Sequence, residues 1–129
     1  MKSIIVSMVA AAGLMVVGSA MATDMPELAK KNGCTACHAI DKKLVGPAWN
    51  DVSAKYKGAK TYKFSPTGSD SADAKEMPLV DGLMMKVSKG GKGNWTAVTG
   101  GVAMTPNDPA GTKQADIKEL VTFILGLSH

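Results

Sequence analysis

Both cysteines of this 129-residue chain, and one of its two histidines, fall within five consecutive positions, Cys34-Thr35-Ala36-Cys37-His38. Thiols this close cannot close the long loops through which disulfides stabilise small domains, and a structural zinc site would need further ligands from elsewhere. Two kinds of chemistry remain. One is a dithiol that cycles through a disulfide; in the other, the thiols anchor a cofactor whose metal is held by the adjacent imidazole. Cys-x-x-Cys-His is the spacing of covalent haem attachment, in which two thiols add to the vinyl groups along one porphyrin edge while the next residue's imidazole reaches iron from one face. On that reading Cys34 and Cys37 are thioether anchors and His38 is the proximal ligand.

An iron held in this way has a second face to fill, and five methionines beyond the N-terminal segment offer a soft sulfur ligand. Met25 starts a helix, and Met84 and Met85 lie in another whose apolar face they fill. Met77, before a proline in a loop, and Met104, in an irregular segment ahead of the last helix, both stay open. His129, the final residue, reads as a chain end rather than a second imidazole ligand.

The elements that must position these groups are helical. Asp24-Met25-Pro26-Glu27 has the form of a helix start, with Asp24 as N-cap and an end at Gly33. Ala48 to Lys57 reads as a short helix closed by Gly58, and Leu79 to Lys89 as a third, stopped by Gly90-Gly91. The last helix is the clearest: Ile117, Leu120, Val121, Ile124 and Leu125 form a helical apolar stripe, with Thr112 as N-cap. Ala59 to Glu76 is polar and loop-like, and no strand is predicted. The fold class is therefore all-α with long loops. A thioredoxin-like dithiol, which follows a strand in an α/β pattern, fits poorly.

Composition narrows the setting. Lys2, an apolar run from Ile4 to Val17 and Ala20-Met21-Ala22 predict a signal peptide over residues 1–22, cleaved after Ala22, with one domain over 23–129; an uncleaved membrane anchor is the alternative. An exported chain meets an oxidising space. With six aromatic side chains, Trp49, Tyr56, Tyr62, Phe64, Trp95 and Phe123, the core is small for the length, as if something else filled the middle. Fourteen lysines beyond residue 22 against eleven carboxylates leave a charge of +3 with no arginine, which disfavours nucleic acid and suits weak docking on an acidic protein partner or plain solubility.

"NGCTACHAIDKKLVGPAWNDVSAKYKG", "KVSKGGKGNW" and "MTPND", with the amphipathic last helix, resemble the small bacterial class I cytochromes c of the c-551/c-552 type over nearly the whole mature chain. The resemblance implies helices and irregular loops wrapped around one haem c, covalent through Cys34 and Cys37, with His38 and Met104 as axial ligands. It implies that Pro47 supplies the carbonyl for the imidazole, that the Asn107 amide meets the methionine sulfur, and that Trp95 and Lys86 contact a haem propionate. The function implied is that of a monomeric periplasmic one-electron carrier serving redox protein partners and not acting as an enzyme. The alternatives are a haem c subunit of, or a dedicated acceptor for, a periplasmic sulfite or thiosulfate dehydrogenase, a peroxidase-like protein that loses its methionine, and a thiol oxidoreductase. The segment from Ala59 to about Met84, and the interval from Trp95 to Met104, are longer than the short family version.

Overall fold

The structure, a computed structural model, describes residues 24–68 and 71–127; the predicted signal peptide over 1–22, its cleavage point and His129 lie outside the described residues. In chain order the elements are α1 (Glu27–Lys31), a 3-10 turn (Cys34–Ala36), α2 (Trp49–Tyr56), β1 (Thr61–Phe64), β2 (Lys75–Pro78), α3 (Leu79–Lys89), α4 (Thr96–Thr99) and α5 (Gln114–Leu125).

Two helix starts differ from the sequence expectation. α1 begins after Pro26 rather than at Asp24, and the Pro26 carbonyl accepts the Ala29 N–H at 2.9 Å. Proline suits that place because it fixes φ and has no N–H to leave unpaired. At α5 the N-cap residue is Lys113 rather than Thr112, and the carboxylate that holds the approach to the helix is Asp108: its oxygens accept the N–H groups of Thr112 and Lys113 and the Gln114 Nε2–H, each at 2.8 Å. Gln114 also donates to Ser88 Oγ at 2.8 Å, tying the start of α5 to α3.

The α5 stripe organises the core. Leu120 and Ile124 pack with Ala29, Ile40 and Trp49, whereas Ile117 and Val121 pack with Tyr56, Tyr62 and Leu83. Met25 joins the first group and Met84 the second. α5 thus lies between the two groups, and Tyr56 carries α2 into the second of them.

The expectation of no strand is corrected. β1 and β2 pair antiparallel, with Tyr62 opposite Met77, in the stretch read as loop. Thr61, Tyr62 and Lys63 alternate exposed, buried, exposed, so Tyr62 faces inward onto α3. Gly82 makes room for it, since a Cβ there would lie 2.6 Å from the Tyr62 Cβ. Packing of one aromatic ring, more than strand propensity, holds so short a hairpin.

Candidate cofactor site

The cysteine segment starts where Asn32 ends α1 by donating its Nδ2 to the Leu28 carbonyl at 2.9 Å. The 3-10 turn follows, and the His38 N–H returns to the Cys34 carbonyl at 2.9 Å. The chain then loops back: Gly46 N–H donates to Cys37 O at 2.8 Å, and Trp49 N–H to Ala39 O at 2.9 Å. This return brings the Pro47 carbonyl to 2.8 Å from His38 Nδ1. An Nδ1–H donated there leaves Nε2 as the bare nitrogen of a neutral imidazole. Burial lowers the His38 pKa, with the Pro47 bond working the other way, so the neutral form predominates near pH 7. Gly46 lies against the ring, where a Cβ would come within 2.6 Å of His38 Cε1.

The facing wall is pinned by backbone. Gly91 and Met104 exchange hydrogen bonds of 2.9 and 2.8 Å, and the Asn107 N–H donates to Val87 O at 3.0 Å. The Asn107 amide donates to the Asn32 carbonyl at 2.9 Å, so it joins the methionine segment to the end of α1, while its Oδ1 is buried without a hydrogen-bond partner. Trp95 is held from outside by Lys55, whose ammonium sits 4.4 Å from the indole centroid and donates to the Asn94 carbonyl.

Between these walls lies a largely apolar cavity of about 290 Å³. Cys34, Cys37, His38, Pro47, Lys86, Trp95, Met104 and Asn107 all line it; Met25, Met77, Met84 and Met85 do not. Residues not singled out in the sequence line it too: Tyr62 from β1, Gly46, Val45 and Val102. Tyr62 was hidden by the missed hairpin, whereas Gly46 stood in the sequence beside Pro47.

The donor set suits a haem. Two thiols and an imidazole with a bare Nε2 share the cavity with a thioether, and the rest of the wall is mainly hydrocarbon. No carboxylate lines it among the described residues, whereas Lys86 and Lys92 do, which favours a ligand carrying negative groups. A dithiol enzyme would lower its nucleophile's pKa, but burial pushes the Cys34 thiol up, against the smaller opposing effects of its own backbone and Lys113.

A sequence profile of the cytochrome c family matches residues 23–128. The chain is 46% identical over 100 residues to cytochrome c-551 of Allochromatium vinosum, spanning 78% of this chain and 82% of that one. It is 36% identical over 127 residues to cytochrome c-552 of Nitrosomonas europaea, spanning 98% and 99%. The crystal structure of wild-type Nitrosomonas europaea cytochrome c552 superposes with a TM-score of 0.54 at 36% identity, covering 79% of this chain and 98% of that one.

Proposed function

Since the chain belongs to the cytochrome c family, and is thus a small electron carrier with covalent c-type haem and not an enzyme, we propose that it shuttles electrons in the periplasm with His38 and Met104 as its axial iron ligands. The carrying observation is convergence. The eight residues singled out as site candidates come from five separate stretches of chain and meet around one cavity. When bound, the haem supplies a one-electron iron couple.

The residues around it then have distinct roles. Cys34 and Cys37 fix the porphyrin edge as thioethers. His38 presents Nε2, oriented by the Pro47 carbonyl and confined by Gly46. Met104 would offer a soft sulfur to the iron, a ligand that favours the ferrous state and would leave no open position for oxygen or peroxide. Lys86 and Trp95 offer a cation and an N–H to the propionate carboxylates.

Docking follows from the rim. Val45 and Val102, 50% and 55% exposed, line the cavity mouth as apolar side chains in water. Exposed Lys42, Lys43 and Lys92 stand beside them in sequence or on the wall. A small apolar contact ringed by cations suits brief encounters of a monomer with an acidic redox protein. Export of the chain by a signal peptide over residues 1–22 belongs to the same reading; no described helix is long and apolar enough to cross a membrane.

The test is a visible spectrum of the purified protein, oxidised and reduced, followed by acid-acetone extraction. A six-coordinate low-spin spectrum with haem retained on the polypeptide is expected. A five-coordinate spectrum, extractable haem, or no haem overturns the proposal.

A further inference from the structure

The loop that follows β1 touches the strip of chain to which Met104 is bonded. Gly91, Lys92 and Gly93 line the cavity, and Gly91 exchanges both of its backbone hydrogen bonds with Met104. Pro66, which does not line the cavity, packs on the same strip: its carbonyl accepts the Lys92 N–H at 3.4 Å, and a Cβ on Gly91 would come within 2.5 Å of that oxygen. Gly91 has a φ of +109°, so both its conformation and this contact call for glycine. Pro66 is in turn held by its neighbours. Ser65 is 2% exposed; its hydroxyl donates to Asp73 Oδ1 at 2.9 Å and accepts the Thr67 N–H at 3.2 Å. These bonds fix the chain on either side of Pro66. Asp73 itself is exposed, yet its carboxylate turns inward onto a buried hydroxyl, and a bond to a charged acceptor is among the stronger ones.

We propose that Ser65 and Asp73 are positioning residues for Met104: they brace the loop so that Pro66 backs the Gly91 strip and keeps the thioether at the iron. This rests on the reading of Met104 as an axial ligand. A methionine leaves iron only if its segment gives way, and Met104 is bonded at both its N–H and its carbonyl to Gly91, so the strip must move with it. Pro66 stands against that movement, and the Ser65–Asp73 bond, which spans eight residues, keeps Pro66 in place. The brace therefore acts on how often the sulfur departs, not on the strength of the ligand once bound. It also gives a role to part of the segment by which this chain exceeds the short family version.

The experiment compares wild-type, Ser65→Ala, Asp73→Ala, Asp73→Asn and Ser53→Ala ferric holoproteins. Cyanide is the probe: it enters the iron position that the methionine vacates, so its binding rate at saturation reads how often the sulfur departs. Ser65→Ala and the surface change Asp73→Ala should each raise that rate by about fivefold, the factor that one net hydrogen bond is worth. Both should also speed hydrogen exchange of the Met104 amide. Asp73→Asn, which keeps an acceptor for the Ser65 hydroxyl, should restore most of the loss. Ser53→Ala controls for stability alone, because Ser53 is also buried and its hydroxyl donates to the Leu127 carbonyl at 3.2 Å, from α2. It should lower resistance to denaturant and leave the cyanide rate unchanged. A wild-type rate in Ser65→Ala or Asp73→Ala, or an equal rise in Ser53→Ala, overturns the inference while the ligand reading stands. A far-red sulfur-to-iron band that is missing from the wild-type protein, or that survives Met104→Ala, overturns the ligand reading and the inference with it.

Discussion

Five methionines lie beyond residue 22, and Met104 alone among them lines the cavity that His38 also lines. Its backbone is bonded both ways to Gly91, so the thioether is presented by a fixed strand-like pair rather than a free loop. Replacing it therefore removes the proposed ligand without loosening the segment. Met104→Ala should abolish the far-red sulfur-to-iron charge-transfer band and lower the potential, and Met77→Ala, across the hairpin from Tyr62, should do neither; optical spectra and a redox titration decide. A subtler change acts on the other face. Gly46→Ala places a methyl 2.6 Å from His38 Cε1, so either the loop or the imidazole must move, and overpacking of this kind typically costs about 1–3 kcal/mol. Denaturant unfolding of the holoprotein measures the loss. The motif residues were legible because thiol and imidazole chemistry demands fixed spacing. Their supports were less so: nothing local in Asn107 announces a bond to Asn32, 75 positions away.

Helices were read from periodicity, and those with a full apolar stripe came out close to their observed bounds: α3 matches at Leu79–Lys89, and α5 keeps Ile117, Leu120, Val121 and Ile124 of its five stripe residues buried, with Leu125 half-buried. Short elements escaped. β1 and β2 have four residues each, too few for a period to stand out from a polar loop, and α4 is a single turn in a glycine-rich stretch. Caps failed for a related reason, because the carboxylate that holds the start of α5 reaches in from Asp108, six residues ahead of Gln114. That carboxylate makes a pH prediction. Burial alone would raise its pKa, but hydrogen bonds from Gln114, Lys113 and Thr112 bring it down to about 2, below the usual unfolded value of about 3.9. The folded state therefore binds fewer protons, and the stabilisation is complete above about pH 4 and lost as the pH falls towards 2. Asp108→Asn should melt at a lower temperature than wild type at about pH 6, with the gap closing by about pH 2. Thermal melts across that range test it, and a gap independent of pH would rule out the carboxylate's charge as the cause.

On the scale of the molecule, the aromatic poverty of the sequence becomes a statement about assembly. The two core clusters meet along α5, and its inner residues Val121 and Ile124 also face the cavity, so the cofactor completes a core that the side chains leave open. Cys34→Ala and Cys37→Ala should each yield little folded, protease-resistant protein, because binding free energy present only in the native state is lost with the anchor. Equal amounts of resistant haem-free protein would refute this.

Surface charge acts over the same scale but on rates rather than on folding. The chain carries +4 in all, without arginine, and its lysines are not equivalent. Lys43 pairs by backbone with His38, Lys92 lines the cavity, and exposed Lys89 donates to the Pro109 carbonyl at 3.3 Å, whereas Lys118 lies exposed on α5 and does not line the cavity. Cations that surround an apolar contact speed encounter with a negative surface without lengthening the complex, and salt screens that attraction over a Debye length of about 8–10 Å at 0.1–0.15 M. Transfer to an acidic acceptor should therefore slow as ionic strength rises. Charge reversal of Lys42, Lys43, Lys89 and Lys92 together should slow it by about tenfold at low salt, since steering of this kind is worth about 10-fold or more, whereas Lys118→Glu should change it far less. Stopped-flow rates between low and physiological salt are the measurement. A rate constant that stays flat or climbs with salt would mean that Val45, Val102 and Leu44, the large exposed apolar side chains among the described residues, govern docking, and that the lysines serve only to keep the protein in solution.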